Sequence, residues 1–114
     1  MTDLSCLPEN TGLFFNGTFQ NGDGLLTSIN PATGEMLMEV SGASEASVNL
    51  AVTQASDAQT AWARADVRER VSCVRKFIDA VEANAQDLAT LDSLDTGNPY
   101  QGMQIDVKIS LAVM

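Results

Sequence analysis

Ser28-Ile29-Asn30-Pro31-Ala32-Thr33-Gly34-Glu35 is the stretch on which the reading of this chain turns. It separates two short runs of strand character, 25–29 and 35–40, with residues suited to reversing direction. Asn30 can hydrogen-bond its own backbone two residues on. Pro31 holds φ near about −65° at the first corner, and Gly34 tolerates the positive φ that brings the second run back. Six of the eight glycines lie in the first 42 residues, whereas the apolar spacing after Val40 is helical. The pattern predicts a small antiparallel β-meander followed by about four helices.

Towards the N-terminus, Asn16-Gly17 stands between Leu13-Phe14-Phe15 and Thr18-Phe19, a strong two-residue hairpin signal. Asn21-Gly22-Asp23-Gly24 marks a second turn, and residues 1–12 read as a loose N-terminal arm. Towards the C-terminus, Ser44 is placed to cap a helix that carries Val48, Val52, Ala55, Gln59 and Trp62 on one side. So alanine-rich a stripe suggests close helix packing. Asp66-Val67-Arg68-Glu69 is a variant of the capping box. Val67, Val71, Val74, Ile78 and Val81 then follow an amphipathic stripe. A third helix is expected from Asn84, with Leu88, Leu91 and Leu94 inward, ending at Asp95-Thr96-Gly97-Asn98-Pro99. A fourth begins near Gln101 and is apolar on two faces: Met103, Val107, Leu111 and Met114, then Ile105, Ile109 and Ala112. It meets the end of the chain with neither cap nor polar tail. Residues 13–114 therefore read as part of a larger domain interrupted within a helix, with an isolated chain prone to aggregate or to stay partly molten.

Composition narrows the function. The 114 residues carry a formal net charge of −9, which argues against nucleic acid and anionic membrane surfaces as partners. Five of the six cations lie between Arg64 and Lys76, so one local basic face is compatible with the acidic whole. No apolar run reaches membrane-spanning length. Histidine is absent, and Cys6 and Cys73 have no metal-type spacing. With no basic, apolar leader at the N-terminus, Asn16-Gly17-Thr18 reads as a turn and not a glycosylation site, and a cytosolic location is expected.

Few motifs carry chemistry. Asp95-Thr96-Gly97 matches the triplet of retroviral-type aspartic proteases, but that chemistry needs the aspartate on a loop after a hydrophobic strand. Here the triplet follows a leucine-periodic helix. A carboxylate at that place faces the negative end of the helix dipole, beside carbonyls without intrahelical partners. Two outcomes follow from the residues: an oxygen-rich niche for a hard cation, or Asp95 capping the next turn through Gly97 or Asn98. Gly22-x-Gly24 has no helix immediately after it and is no phosphate loop, and no nucleophile has a partner base.

In combination, Leu13-Phe14-Phe15-Asn16-Gly17, Ile29-Asn30-Pro31-Ala32-Thr33-Gly34-Glu35, the helix ending at Trp62, Arg68-Glu69-Arg70, and Leu91-Asp92-Ser93-Leu94-Asp95-Thr96-Gly97-Asn98-Pro99 resemble the N-terminal region of the aldehyde dehydrogenase superfamily. The resemblance implies an α/β parent protein with a Rossmann-type cofactor domain. It also implies NAD(P)-dependent oxidation of an aldehyde to a carboxylic acid through a cysteine thiohemiacetal, in a homodimer or homotetramer. It places the catalytic and dinucleotide-binding residues beyond Met114, and Cys6 and Cys73 match none of them. Members of the betaine-aldehyde type hold a monovalent cation such as potassium, with equivalents here at Ser28, Ile29 and Asp95. Asp92 stands where glutamate is usual and Asn98 where lysine is usual, which leaves the aldehyde open. The competing expectation is a free-standing α+β module for binding or oligomerisation, without catalysis.

Overall fold

A computed structural model describes residues 4–114, so positions 1–3 of the N-terminal arm lie outside the described residues. The order is β1 (Leu13–Phe15), β2 (Thr18–Gln20), β3 (Leu25–Ile29), β4 (Met36–Ser41), α1 (Glu45–Arg64), α2 (Val67–Ala83), α3 (Ala85–Thr96) and α4 (Tyr100–Val113).

The strands form two antiparallel ribbons, β1–β2 and β3–β4, and no ladder joins β2 to β3. In the first ribbon, Asn16 and Gly17 both take positive φ, 52° and 73°, as a tight two-residue hairpin requires. Phe14 and Phe19 face each other across it, edge to face, with ring centroids 5.0 Å apart. Instead of a continuous meander, separate backbone hydrogen bonds stitch the ribbons together. Asp23 N–H donates to the Gly42 carbonyl at 2.9 Å, Gly42 N–H to the Gly24 carbonyl at 3.0 Å, and Ser41 N–H to the Thr11 carbonyl at 2.9 Å.

The helices start and stop on the residues that local chemistry selects. Ser44 caps α1 by accepting from Ser47 N–H at 3.2 Å, and Asp66 caps α2 by accepting from Arg68 N–H at 2.7 Å. Asn84 stands between α2 and α3, and its side chain serves the earlier helix. Its Nδ2 donates to the Ala80 carbonyl at 2.8 Å, leaving α3 without a side-chain N-cap. Gly97 closes α3 in the left-handed conformation, φ 76°.

The chain buries little. Leu37, Ala89 and Met103 form the buried apolar set among the described residues, and no large side chain is fully enclosed. Ala89 and Met103 mark where α3 packs on α4. The alanine-rich side of α1, expected to be tightly covered, has no buried residue: Val48, Val52 and Trp62 are all exposed. The physical measure is area. A compact chain of 12.1 kDa would expose about 6,000 Å². This one exposes 8422 Å². Its radius of gyration, 16.8 Å, likewise exceeds the roughly 13 Å of a compact fold of this length. At 49 × 35 × 18 Å the molecule is a thin slab. Amphipathic stripes that the sequence writes for burial lie open on its faces.

Candidate functional site

The hinge and the end of α3 meet. Ser28 lies on β3 where its ladder with β4 loses regular register, between Ser28 and Ile29. The chain then enters the turn, which Asn30 organises completely. Its Oδ1 accepts from Ala32 N–H at 2.9 Å, its N–H donates to the Glu35 carbonyl at 2.9 Å, and its carbonyl accepts from Gly34 N–H at 2.7 Å. That satisfaction explains how a polar side chain can be buried here. The turn projects Pro31 onto the cap of α3: a Cβ added to Gly97 would stand 2.8 Å from Pro31 Cγ.

Two turns of sequence away in space from that contact is the polar one. The Ser28 hydroxyl donates to Asp95 Oδ1. It supplies the donor that a carboxylate needs at the negative end of a helix. The helix end itself is satisfied locally by other side chains. Thr96 Oγ1 donates to the Asp92 carbonyl at 2.7 Å and accepts from Asn98 N–H at 3.2 Å. Ser93 Oγ donates to the Asn98 carbonyl at 2.7 Å. Gly97 N–H goes to the Ser93 carbonyl at 3.0 Å. Thr96 and Ser93 thus perform the capping that Asp95 could have performed, and Asp95 turns to the strand instead.

Ser28 and Asp95 open into a cleft of about 590 Å³ between the second ribbon and the helices. Met38, Val40, Val81, Leu88, Leu91 and Val107 make its apolar lining, with Asp92, Asp106 and Ser110 adding oxygens. Of the three residues expected at a cation site, Ser28 and Asp95 touch, and Ile29 follows Ser28 at the register break. The described residues contain no group of three or more histidine, cysteine, aspartate or glutamate side chains able to hold a metal ion. Main-chain and hydroxyl oxygens would therefore have to complete any cation shell.

A second polar cluster ties the β2–β3 turn to the start of α1. Ser47 Oγ donates to Asp23 Oδ2 at 3.1 Å and lies 3.1 Å from Ser44 Oγ. Hydrogen bonding from Ser44, then from Ser47, holds the Asp23 carboxyl below its ordinary value. An aspartate thereby occupies the positive end of the α1 dipole, the place where an external anion would otherwise sit. Cys73 is an exposed thiol on α2, and Cys6 lies in the arm, lining a cleft with Asn84 and Asp87.

Sequence reasoning reached Asp95 and the turn, but missed the Ser28 hydroxyl as a donor, expecting only main-chain oxygens there. It also missed the Asp23–Ser44–Ser47 cluster. A serine one residue before a turn and a Ser-x-x-Ser at a helix start were the available signals, and neither names a partner.

The model of the aldehyde dehydrogenase family matches residues 19–114. The chain is similar to 5-carboxymethyl-2-hydroxymuconate semialdehyde dehydrogenase of Escherichia coli, with 35% identity over 86 residues, covering 75% of this chain and 18% of that protein. It is also similar to N-succinylglutamate 5-semialdehyde dehydrogenase of Legionella pneumophila (strain Corby), with 33% identity over 111 residues, covering 92% and 22%. In three dimensions it resembles the crystal structure of an aldehyde dehydrogenase from Brucella melitensis biovar abortus 2308, with a TM-score of 0.82 at 27% identity, covering 94% of this chain and 22% of that one. The chain spans about a fifth of the length of the curated relatives it matches.

Proposed function

The chain belongs to the aldehyde dehydrogenase family, and from that premise we propose that it serves as the scaffold portion of an NAD(P)-dependent enzyme that oxidises an aldehyde to a carboxylic acid in the cytosol. The observation that carries this is the seating of the Asn30-Pro31 turn on the Asp95–Gly97 end of α3, through Ser28 on Asp95 and Pro31 on Gly97. It joins the two stretches by which the family is recognised.

The described residues do not themselves fit a dinucleotide. The Asp23 and Asp66 side chains stand at the starts of α1 and α2. Gly22-Asp23-Gly24 is the turn between the ribbons, not a loop opening a helix. No catalytic step is assigned to this chain, and by itself it is expected to be silent. Aldehyde-dependent reduction of NAD or NADP, followed by nicotinamide absorbance, tests this for the 114-residue chain and for a longer polypeptide carrying it. Turnover by the 114 residues alone overturns the scaffold role; no turnover by the longer polypeptide favours the non-catalytic module.

The same contact supports a monovalent cation site, potassium being the candidate. Ser28 and Asp95 present oxygen donors only, one of them a carboxylate, which is what a hard cation accepts. Ser28, Ile29 and Asp95 would hold the ion, which would supply charge neutralisation at the end of α3. Potassium chloride should then raise the urea midpoint more than choline chloride at equal ionic strength, and Asp95→Ala should abolish the difference. Equal responses to the two salts exclude the site.

A further inference from the structure

Between the end of α1, the length of α2 and the end of α4 runs a groove of about 710 Å³. Its floor is apolar: Val67, Val71, Val74 and Ile78 from the α2 stripe, with Trp62 at one end and Met114 at the other. Arg70 and Arg75 form its polar wall, and no acidic side chain lines it. Two facts make it more than an open stripe. The first is charge: these arginines belong to the one basic stretch, Arg64 to Lys76, of a chain with net charge −9. The second is an unmet donor. Arg70 Nε is shielded from solvent and has no hydrogen-bond partner. Leaving such a group unpaired costs free energy that an acceptor in the groove would recover.

We propose that this groove is the seat of an acidic amphipathic helix from a partner segment, with leucine-type side chains on the Val67–Ile78 stripe and carboxylates on Arg70 and Arg75. The shape selects a helix. The apolar residues recur along α2 at spacings of three and four, and the 17 residues of α2 make a straight surface about 25 Å long. The charge selects acidic side chains, since a carboxylate can accept from Nε and the outer guanidinium nitrogens together. The site goes beyond the dehydrogenase and cation assignments and does not depend on the cation.

Trp62, the single tryptophan of the chain, stands at the groove and reports on it directly. The probe is a synthetic helix of about four turns, leucine on one face and glutamate on the flanks, compared with its lysine counterpart and with decanoate. The expected result is a saturable blue shift of Trp62 emission with the glutamate peptide, weakened by salt and absent with the lysine peptide. Arg70→Gln should weaken binding about tenfold, and Arg75→Gln should also weaken it, both with unchanged helical circular dichroism. Equal binding of the lysine peptide overturns the proposal, as does a shift produced by decanoate but not by the peptide. Self-association in sedimentation that disappears in Arg70→Gln also overturns it, because the groove would then belong to a second copy.

Discussion

Pro31 rests against Gly97, 66 residues away in sequence, so closely that a Cβ on the glycine would lie 2.8 Å from the proline Cγ. The ring cannot swing aside as a flexible side chain would, and Gly97 also holds φ at 76°. Gly97→Ala should therefore destabilise the fold by about 1–3 kcal/mol, from left-handed strain and steric conflict together. In a Pro31→Ala background the same substitution should cost only about 1 kcal/mol. Urea denaturation of the four proteins measures the coupling; additive costs would show that the two residues do not touch.

Ser28 and Asp95 form the polar half of that junction. The pair is solvent-accessible, so its net value is modest. Ser28→Ala and Asp95→Asn should each lower stability by about 0.5–1.5 kcal/mol, and the double variant should lose little more than the worse single one. The same denaturation cycle detects this. Full additivity would mean that the hydrogen bond carries no stability.

Asp23 sets a pH dependence. Its folded pKa is depressed by the hydroxyls of Ser44 and Ser47, so its contribution is fully present above the unfolded value of about 3.9. It is lost as pH falls through the lower folded value. Stability should decline on acidification below about pH 4 more steeply in the wild type than in Asp23→Asn. Denaturant midpoints across that range provide the check, and parallel curves would remove Asp23 from the account.

Asp66 caps α2, a helix with no buried residue of its own, so tertiary packing compensates little for a lost cap. Asp66→Ala should cost about 1 kcal/mol and lower the helical circular dichroism signal. Asp66→Asn should retain most of the stability, because asparagine also accepts from Arg68 N–H.

Helix and turn positions were legible because their causes are local. Asn16-Gly17 needs nothing distant to form its turn, and Ser44, Asp66 and Gly97 cap through atoms two to four residues away. The continuous meander was not borne out in detail. Strand periodicity cannot say which hydrogen bonds close the gap between β2 and β3, and backbone groups of Thr11, Gly24 and Gly42 closed it. The Ala/Val stripe of α1 was legible as amphipathic, but an apolar pattern does not name what covers it, and within these residues nothing buries it.

By itself the sequence determined the order of strands and helices, their ends, and the pair of motifs that identifies the family, all properties of short stretches. Tertiary structure alone decided that Asp95 turns from its own helix cap to a serine on β3, and that Pro31 seats on Gly97. The reason is competition among nearby donors and acceptors. Thr96 and Ser93 satisfy the end of α3, freeing Asp95 for Ser28, and only the fold brings that serine within reach.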